Sequence, residues 1–397
     1  MTAITTDQLN PLLDQFEGEG PVLTCYADRA GADGFHPGWE GPLETQVAAL
    51  RRVIREGRSA RREFDRDLAA VRQAFEAPQP EARWRAVFSS HRRGFLHSVP
   101  LDTPVKPDLV SDRGPYLVPL LGAMLRRREY LAVHTDSHRG RLYTATPGAV
   151  RLLTGLDADV PKKQHSAGER WGLGQATIEH HRDEVIHHYQ KGLIHHIERA
   201  WADRRYAGLL LLGSHPILEH VRKALPDRLA ARVERETPAE WSDRPGEIES
   251  GIRELAARVF AQDEAQAIDA FSDRLTEHRA IATGPSGVLA ALQSGRVGPH
   301  GHGCLILGPD PRETVGRCTR CHTLAPNVPA ACPRCQAPCR EASLWEELLL
   351  MALRHGITAH RTDDPDRLAP FGGLAAILPK SEPASPRPPA RQPAGRA

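Results

Sequence analysis

Gly208-Leu-Leu-Leu-Leu-Gly213-Ser214 is a short, wholly apolar segment bracketed by glycines. It is too short for a core helix, and it lacks the alternation of a strand with one wet face. It therefore reads as a central strand covered by helices on both sides. Upstream, residues 176–201 read as a long helix, and before it Tyr130-Leu-Ala-Val133 and Gly140-Arg-Leu-Tyr143 read as paired strands. Downstream, residues 248–275 are helical by period. Strands and helices in this order predict an α/β architecture.

The same alternation recurs on either side. Val47, Leu50, Val53 and Ile54, then Phe64, Leu68, Val71 and Phe75, recur at helical spacing and predict one long helix or a helical pair. Residues 84–88 and 94–96 read as strands and 116–125 as a helix. Towards the C-terminus a helix is expected over 286–292, a strand over 304–307, a helix over 344–355 and a last strand near Ile377. Three α/β domains are expected, over residues 1–127, 128–243 and 244–380. The tail 381–397 is basic, Pro-rich and has almost nothing to bury, so it is expected to be disordered.

A chain of 397 residues suits about two or three domains. With 40% hydrophobic and 26% charged residues it has the composition of a globular protein, and no apolar run is long enough for a membrane span. The start MTAITTDQLN has neither the basic beginning nor the apolar core of a secretory signal, so a cytoplasmic protein is expected. The net charge of only +2 means that any contact with nucleic acid must come from local basic patches. The arginines at 51, 52, 55, 58, 61 and 62 could form one, or a solvated helix face.

Five of the seven cysteines fall within residues 318–339. Cys318-x2-Cys321, ten intervening residues and Cys332-x2-Cys335 form two knuckles that suit four thiolates arranged tetrahedrally around Zn(II). Four thiolates leave no open position for water, so a structural zinc is expected rather than a catalytic one. Cys339 and His322 are close enough in sequence to substitute for a ligand, and a redox dithiol is the alternative. Cys25 and Cys304 are expected to be core thiols.

Further features come in a fixed order along the chain. Asp157-Ala-Asp-Val-Pro161-Lys162-Lys163 followed by Gly172-Leu173-Gly174-Gln175 resembles the middle-domain segment of archaeo-eukaryotic class 1 release factors and Pelota, in which Pro-Lys-Lys precedes a Gly-Gly-Gln loop. Ile186-His187-His188-Tyr189 is similar to the His-containing tract on that family's long helix, and the segment from Gly208 to Ser214 to its buried strand. GPSGVLAALQSGRV at 284–297 resembles a third-domain helix of the family, and Phe371-Gly372-Gly373-Leu374-Ala375-Ala376-Ile377-Leu378 its closing signature. The first domain is similar to that of the bacterial relatives, which include ribosome-hibernation factors.

The resemblance implies three α/β domains in a release-factor-like arrangement, with a zinc ribbon at 316–340 inserted in the third. It implies a tRNA-mimicking factor in the ribosomal A site, acting in hibernation or rescue and reaching rRNA and the peptidyl-transferase centre. P-site tRNA and a translational GTPase are further implied partners. Lys162, Lys163, His180, His181, Arg182, His187, His188 and Lys191 would contact RNA. For the histidine-rich helix face two alternatives stand beside this: a solvated polar face, or a metal site with Glu184 and His188. In the family the glycines admit unusual backbone conformations and the glutamine places its N–H and a water against the peptidyl-tRNA ester. Gly174 and Gln175 match as catalytic residues, but Leu173 stands where the first glycine belongs and carries a steric penalty at positive φ. Codon-independent peptidyl-tRNA hydrolysis is thus one alternative, and a zinc-stabilised RNA-binding or GTPase-adaptor protein another. The stop-codon-reading Asn-Ile-Lys-Ser motif is absent from residues 1–130, so stop-codon reading is not expected.

Overall fold

The computed structural model describes residues 9, 11–12, 20–28, 41–54, 57–77, 82–158, 172–242, 244–277, 280–297, 303–310, 312–325, 328–362 and 364–379. The Pro-Lys-Lys segment with Lys162 and Lys163, and the expected disordered tail, lie outside them. The chain forms two compact units, Met1–Asp263 and Glu264–Ala397.

The first unit holds two sheets. One has the order β3-β2-β1-β4, built from β1 (Val22–Asp28), β2 (Trp84–Ser90), β3 (Phe95–Leu101) and β4 (Asp108–Asp112), all antiparallel. The expected helical pair covers one face as α1 (Glu44–Val53) and α2 (Gly57–Glu76). Phe64, Leu68, Val71 and Phe75 form one stripe of α2 and pack on Leu23, Cys25, Val87 and Leu109. Buried Arg85 on β2 donates to the carbonyl oxygens of Ala74 and Ala77, placing a cation at the C-terminal end of α2. Helix α3 (Val118–Arg126) then leads to the second sheet.

That sheet has the order β7-β6-β5-β8-β9. Strands β5 (Tyr130–Thr135), β6 (Arg139–Thr146) and β7 (Ala149–Asp157) form an antiparallel meander, while β8 (Gly208–Gly213) and β9 (Val233–Pro238) continue it in parallel with β5. The expectation for the four leucines holds, and the reason is visible in their two environments. Leu209 and Leu211 face the long helix α4 (Gly172–Asp203) and the shorter α5 (His215–Ala224), with Tyr189, Leu193, Ile197, Leu218 and Val221 in the same cluster. Leu210 and Leu212 face the other way, onto Ile252, Leu255, Val259 and Phe260 of helix α7 (Pro245–Thr276), which follows the single turn α6 (Asp227–Ala230). With both faces dry, no polar alternation is tolerated. Gly140 on β6 lets α4 approach, since a Cβ there would sit 2.7 Å from the Tyr189 hydroxyl.

Helix α4 begins four residues before the expected Ala176, so Gly172 to Gln175 carry helical backbone. Glycine costs about 1 kcal/mol in a helix interior, but the first turn lacks intrahelical N–H partners in any case. A helical φ is open to any residue with a Cβ, so the helical backbone at position 173 does not carry the penalty expected at positive φ.

In the second unit, strands β10 (Ile281–Thr283), β11 (Cys304–Leu307), β15 (Thr358–Arg361) and β16 (Leu374–Ile377) form a sheet of order β10-β16-β11-β15. Helices α8 (Gly284–Gln293), α9 (Leu344–Arg354) and the short α10 (Pro365–Leu368) accompany it, and Phe271, Ile306, Leu368, Ala375 and Ile377 form a core. The Gly-Gly pair before β16 has a steric reason. Gly372 closes a turn at φ 59°, and a Cβ on Gly373, at φ 76°, would lie 2.4 Å from the Pro309 carbonyl oxygen. Between β11 and α9 a three-stranded antiparallel sheet of β12 (Thr314–Cys318), β13 (Leu324–Ala325) and β14 (Cys339–Ser343) carries the cysteine module. The fold is α/β throughout. No helix among the described residues is long and apolar enough to cross a membrane.

Candidate functional site

The two Cys-x2-Cys turns are built alike. Cys318 N–H donates to the Thr323 carbonyl and Cys332 N–H to that of Ala337. His322 at φ 56° and Gln336 at φ 60° hold the equivalent left-handed position after the second cysteine of each turn. The reversal points four sulfurs inward. Cys318 and Cys335 Sγ lie 3.4 Å apart, as do Cys335 and Cys321, Cys321 and Cys332 are 3.6 Å apart, and all four lie within 4.8 Å of one another. A tetrahedral thiolate site with metal–sulfur bonds of about 2.3 Å needs sulfur separations near ~3.8 Å, so the four cysteines can hold one metal ion. Backbone N–H groups of Arg320 and Cys321 point at Cys318 Sγ, and that of Arg334 at Cys332 Sγ, each at 3.4 Å. Such donors favour thiolate over thiol. The Cys321 N–H holds Cys318 below the ordinary thiol value, and the Thr323 hydroxyl, 3.2 Å away, brings Cys321 down to about 6.

Cys339 faces Cys318 across the β12–β14 ladder but is not one of the four. Burial, then the neighbouring thiols, push it upwards. Cys25 lies in the core of the first sheet and Cys304 is half-buried on β11, as expected of core thiols. Among the described residues these four cysteines are the only cluster of this kind, so Glu184 and His188 do not assemble a metal site with a third described ligand.

Helix α4 is divided by burial. Tyr189, Leu193 and Ile197 face the sheet, while Glu184, His187, His188, Lys191, His195 and Arg199 are exposed. Positions 184, 188, 191, 195 and 199 follow one another at helical spacing, so one solvent-facing stripe carries a glutamate, two histidines, a lysine and an arginine. The backbone at Gly174, Gln175, His180, His181 and Arg182 is helical, but their side chains lie outside the described residues. The cysteines belong to the second unit and α4 to the first.

Sequence reasoning missed a cluster at the root of the 159–171 segment. Arg141 holds Asp157 through two hydrogen bonds, 2.6 and 3.0 Å, just before Ala158, and that bond keeps the Asp157 carboxyl below its ordinary range. Arg139 pairs with Asp136 at 2.8 Å, and both guanidinium groups lie over the Trp241 ring, 4.5 and 5.3 Å from its centre. The ring also stacks on His134, with centroids 4.8 Å apart. The only local signal was Arg-Gly-Arg at 139–141, and Trp241 is a hundred residues away.

No curated protein matches the chain. Solved structures similar to it include the archaeal translation termination factor aRF1, at 15% identity over 94% of this chain and 98% of that one, with a TM-score of 0.27. Dom34 of S. cerevisiae, described as a translation termination-like factor, is 12% identical over 76% and 80%, with a TM-score of 0.38. An archaeal Pelota from a ribosome-bound complex is 12% identical over 95% of each chain, with a TM-score of 0.38. Residues 115–264, which hold the second sheet, the 159–171 segment and α4, match the model of bacterial archaeo-eukaryotic release factor family 10. Over that segment the chain is similar to bacterial archaeo-eukaryotic release factor family 10.

Proposed function

We propose that this protein is a tRNA-mimicking translation factor that occupies the ribosomal A site in hibernation or rescue. The observation that carries the reading is the family match over residues 115–264, the segment that contains Pro161-Lys162-Lys163, Gly174-Gln175 and α4. The exposed stripe of His188, Lys191 and His195 supports it, because a weakly basic, hydrogen-bonding face suits RNA phosphates and sugars. Lys162, Lys163, His180, His181, Arg182 and His187 extend the contact towards rRNA and P-site tRNA. The division at 1–127, 128–243 and 244–380 belongs to the same reading, with a translational GTPase as a second partner in the cytoplasm. The ion held by Cys318, Cys321, Cys332 and Cys335 is Zn(II), and its role is to hold the ribbon's fold. The test is sedimentation with 70S particles through sucrose gradients. Co-migration under growth or stress is expected, and a protein confined to the free fraction in both would sink the reading.

Peptidyl-tRNA hydrolysis at Gly174-Gln175 is the second reading. It rests on Gly174-Gln175, which lie within the matched segment 115–264 and resemble the Gly-Gly-Gln loop whose glutamine backbone N–H meets the ester oxyanion. Peptide release from pre-termination ribosomes that is lost in Gln175→Ala would establish it. Absence of release by both proteins, with ribosome binding intact, would leave occupancy as the function.

A further inference from the structure

Residues 316–340 contain four arginines, one histidine and no aspartate or glutamate, in a chain whose acidic and basic residues otherwise nearly balance. The arginines are not scattered. Arg320 and Arg334 hold the same position in the two cysteine turns, each directly before the second cysteine of its pair, and both are exposed. Neither has an ion-pair partner among the described residues, and their backbone N–H groups are committed to Cys318 and Cys332 Sγ. Arg340 is exposed on β14, directly opposite Arg317 in the ladder. Arg317 itself pairs with Glu347, at 3.2 Å, at the base of the ribbon on α9.

We propose that the exposed tip of the ribbon, through Arg320, Arg334 and Arg340, binds the phosphate backbone of RNA. Guanidinium forks match phosphate oxygens in pairs. An acidic protein partner fits less well, because residues 316–340 contain no Phe, Trp or Tyr and the exposed positions are small or polar, whereas protein interfaces are anchored by buried aromatic and large apolar side chains. The same lack of aromatics leaves no platform for stacking bases, so binding is independent of sequence. The proposal stands on the ribbon alone and needs no ribosome.

The test uses the full-length, zinc-loaded chain and a labelled poly(U) RNA of roughly 20 nucleotides, followed by fluorescence anisotropy at two salt concentrations. Arg320→Gln/Arg334→Gln takes away two charges that meet phosphate. It is expected to lower the slope of log affinity against log salt by about 1.4, so that the fall in affinity between about 50 and 200 mM salt shrinks about sevenfold. Arg320→Lys/Arg334→Lys is expected to keep the slope, and zinc content is expected to be unchanged in both variants. An unchanged slope in the glutamine variant overturns the proposal, as does failure of the unsubstituted chain to bind poly(U). Displacement by poly-glutamate as effective as by unlabelled RNA of equal charge also overturns it, in favour of an acidic protein partner. Loss of RNA binding in Lys191→Ala with no effect of the ribbon variants places the contact on α4 instead.

Discussion

The Tyr189 hydroxyl lies 2.6 Å from Thr135 Oγ1, and so pins the long helix α4 to the end of strand β5. Thr135 Oγ1 also reaches the carbonyl oxygens of Asp136 and Arg139, at 3.0 and 3.1 Å, which assigns the tyrosine as donor. Burial holds the phenol above the ordinary tyrosine value, so it stays neutral. Tyr189→Phe is expected to destabilise the protein by about 1 kcal/mol. Gly140→Ala drives a methyl to 2.7 Å from the same hydroxyl and is expected to cost about 1–3 kcal/mol. Removing the hydroxyl relieves that contact, so the double variant is expected to lose less than the sum in urea unfolding. Strict additivity would show that the two residues do not meet.

His134 makes the fold sensitive to mild acid. It is buried against Trp241, and burial holds its ring below the ordinary histidine value of 6.5. Below that value the unfolded chain takes up a proton that the folded one resists, so stability falls as pH drops from 6.5 towards the depressed folded value and is flat above it. His134→Gln is expected to show a smaller drop in urea midpoint between about pH 7.5 and pH 5.5. An identical drop would assign the effect to other groups.

Removal of the metal is expected to unfold the ribbon. Binding free energies on the order of 10 kcal/mol are typical of structural zinc, and four sulfurs within 4.8 Å repel one another as thiolates without it. A strong chelator, or Cys321→Ser, should expose residues 316–340 to limited proteolysis while amides at 209–212 stay protected from exchange. A ribbon still resistant to protease without metal would contradict this.

The exposed stripe of α4 separates contact from stability. His188, Lys191 and His195 are exposed, so their replacement by Ala is expected to change stability by less than about 0.5 kcal/mol, while sedimentation with ribosomes weakens. Undiminished binding in the triple variant would mean that the stripe is a solvated face.

Strong local patterns were legible in the sequence. The four leucines from Leu209 to Leu212 marked a strand with two dry faces, Phe64 to Phe75 marked a helix stripe, and the cysteine spacing marked the module whose sulfurs converge. Strands β1, β4, β7, β9, β10, β12, β13, β14 and β15 were not read. β9, Val233-Glu-Arg-Glu-Thr-Pro, is a charged edge strand whose only strong reason to be extended is its ladder with β8. The start of α4 was placed late because glycine at 172 and 174 is ambiguous locally.

Periodicity, spacing and steric need act between residues close in the chain, so the sequence by itself determined the α/β class, the apolar central strand and the ligand set of the ribbon. Only the tertiary structure decided which side of α4 meets water, and that Arg139, Arg141 and His134 gather on Trp241. It likewise set Arg340 opposite Arg317 and left Arg320 and Arg334 exposed at matching positions of the two turns. Those relationships depend on strand register and on packing between residues far apart in sequence, where no local pattern constrains the outcome.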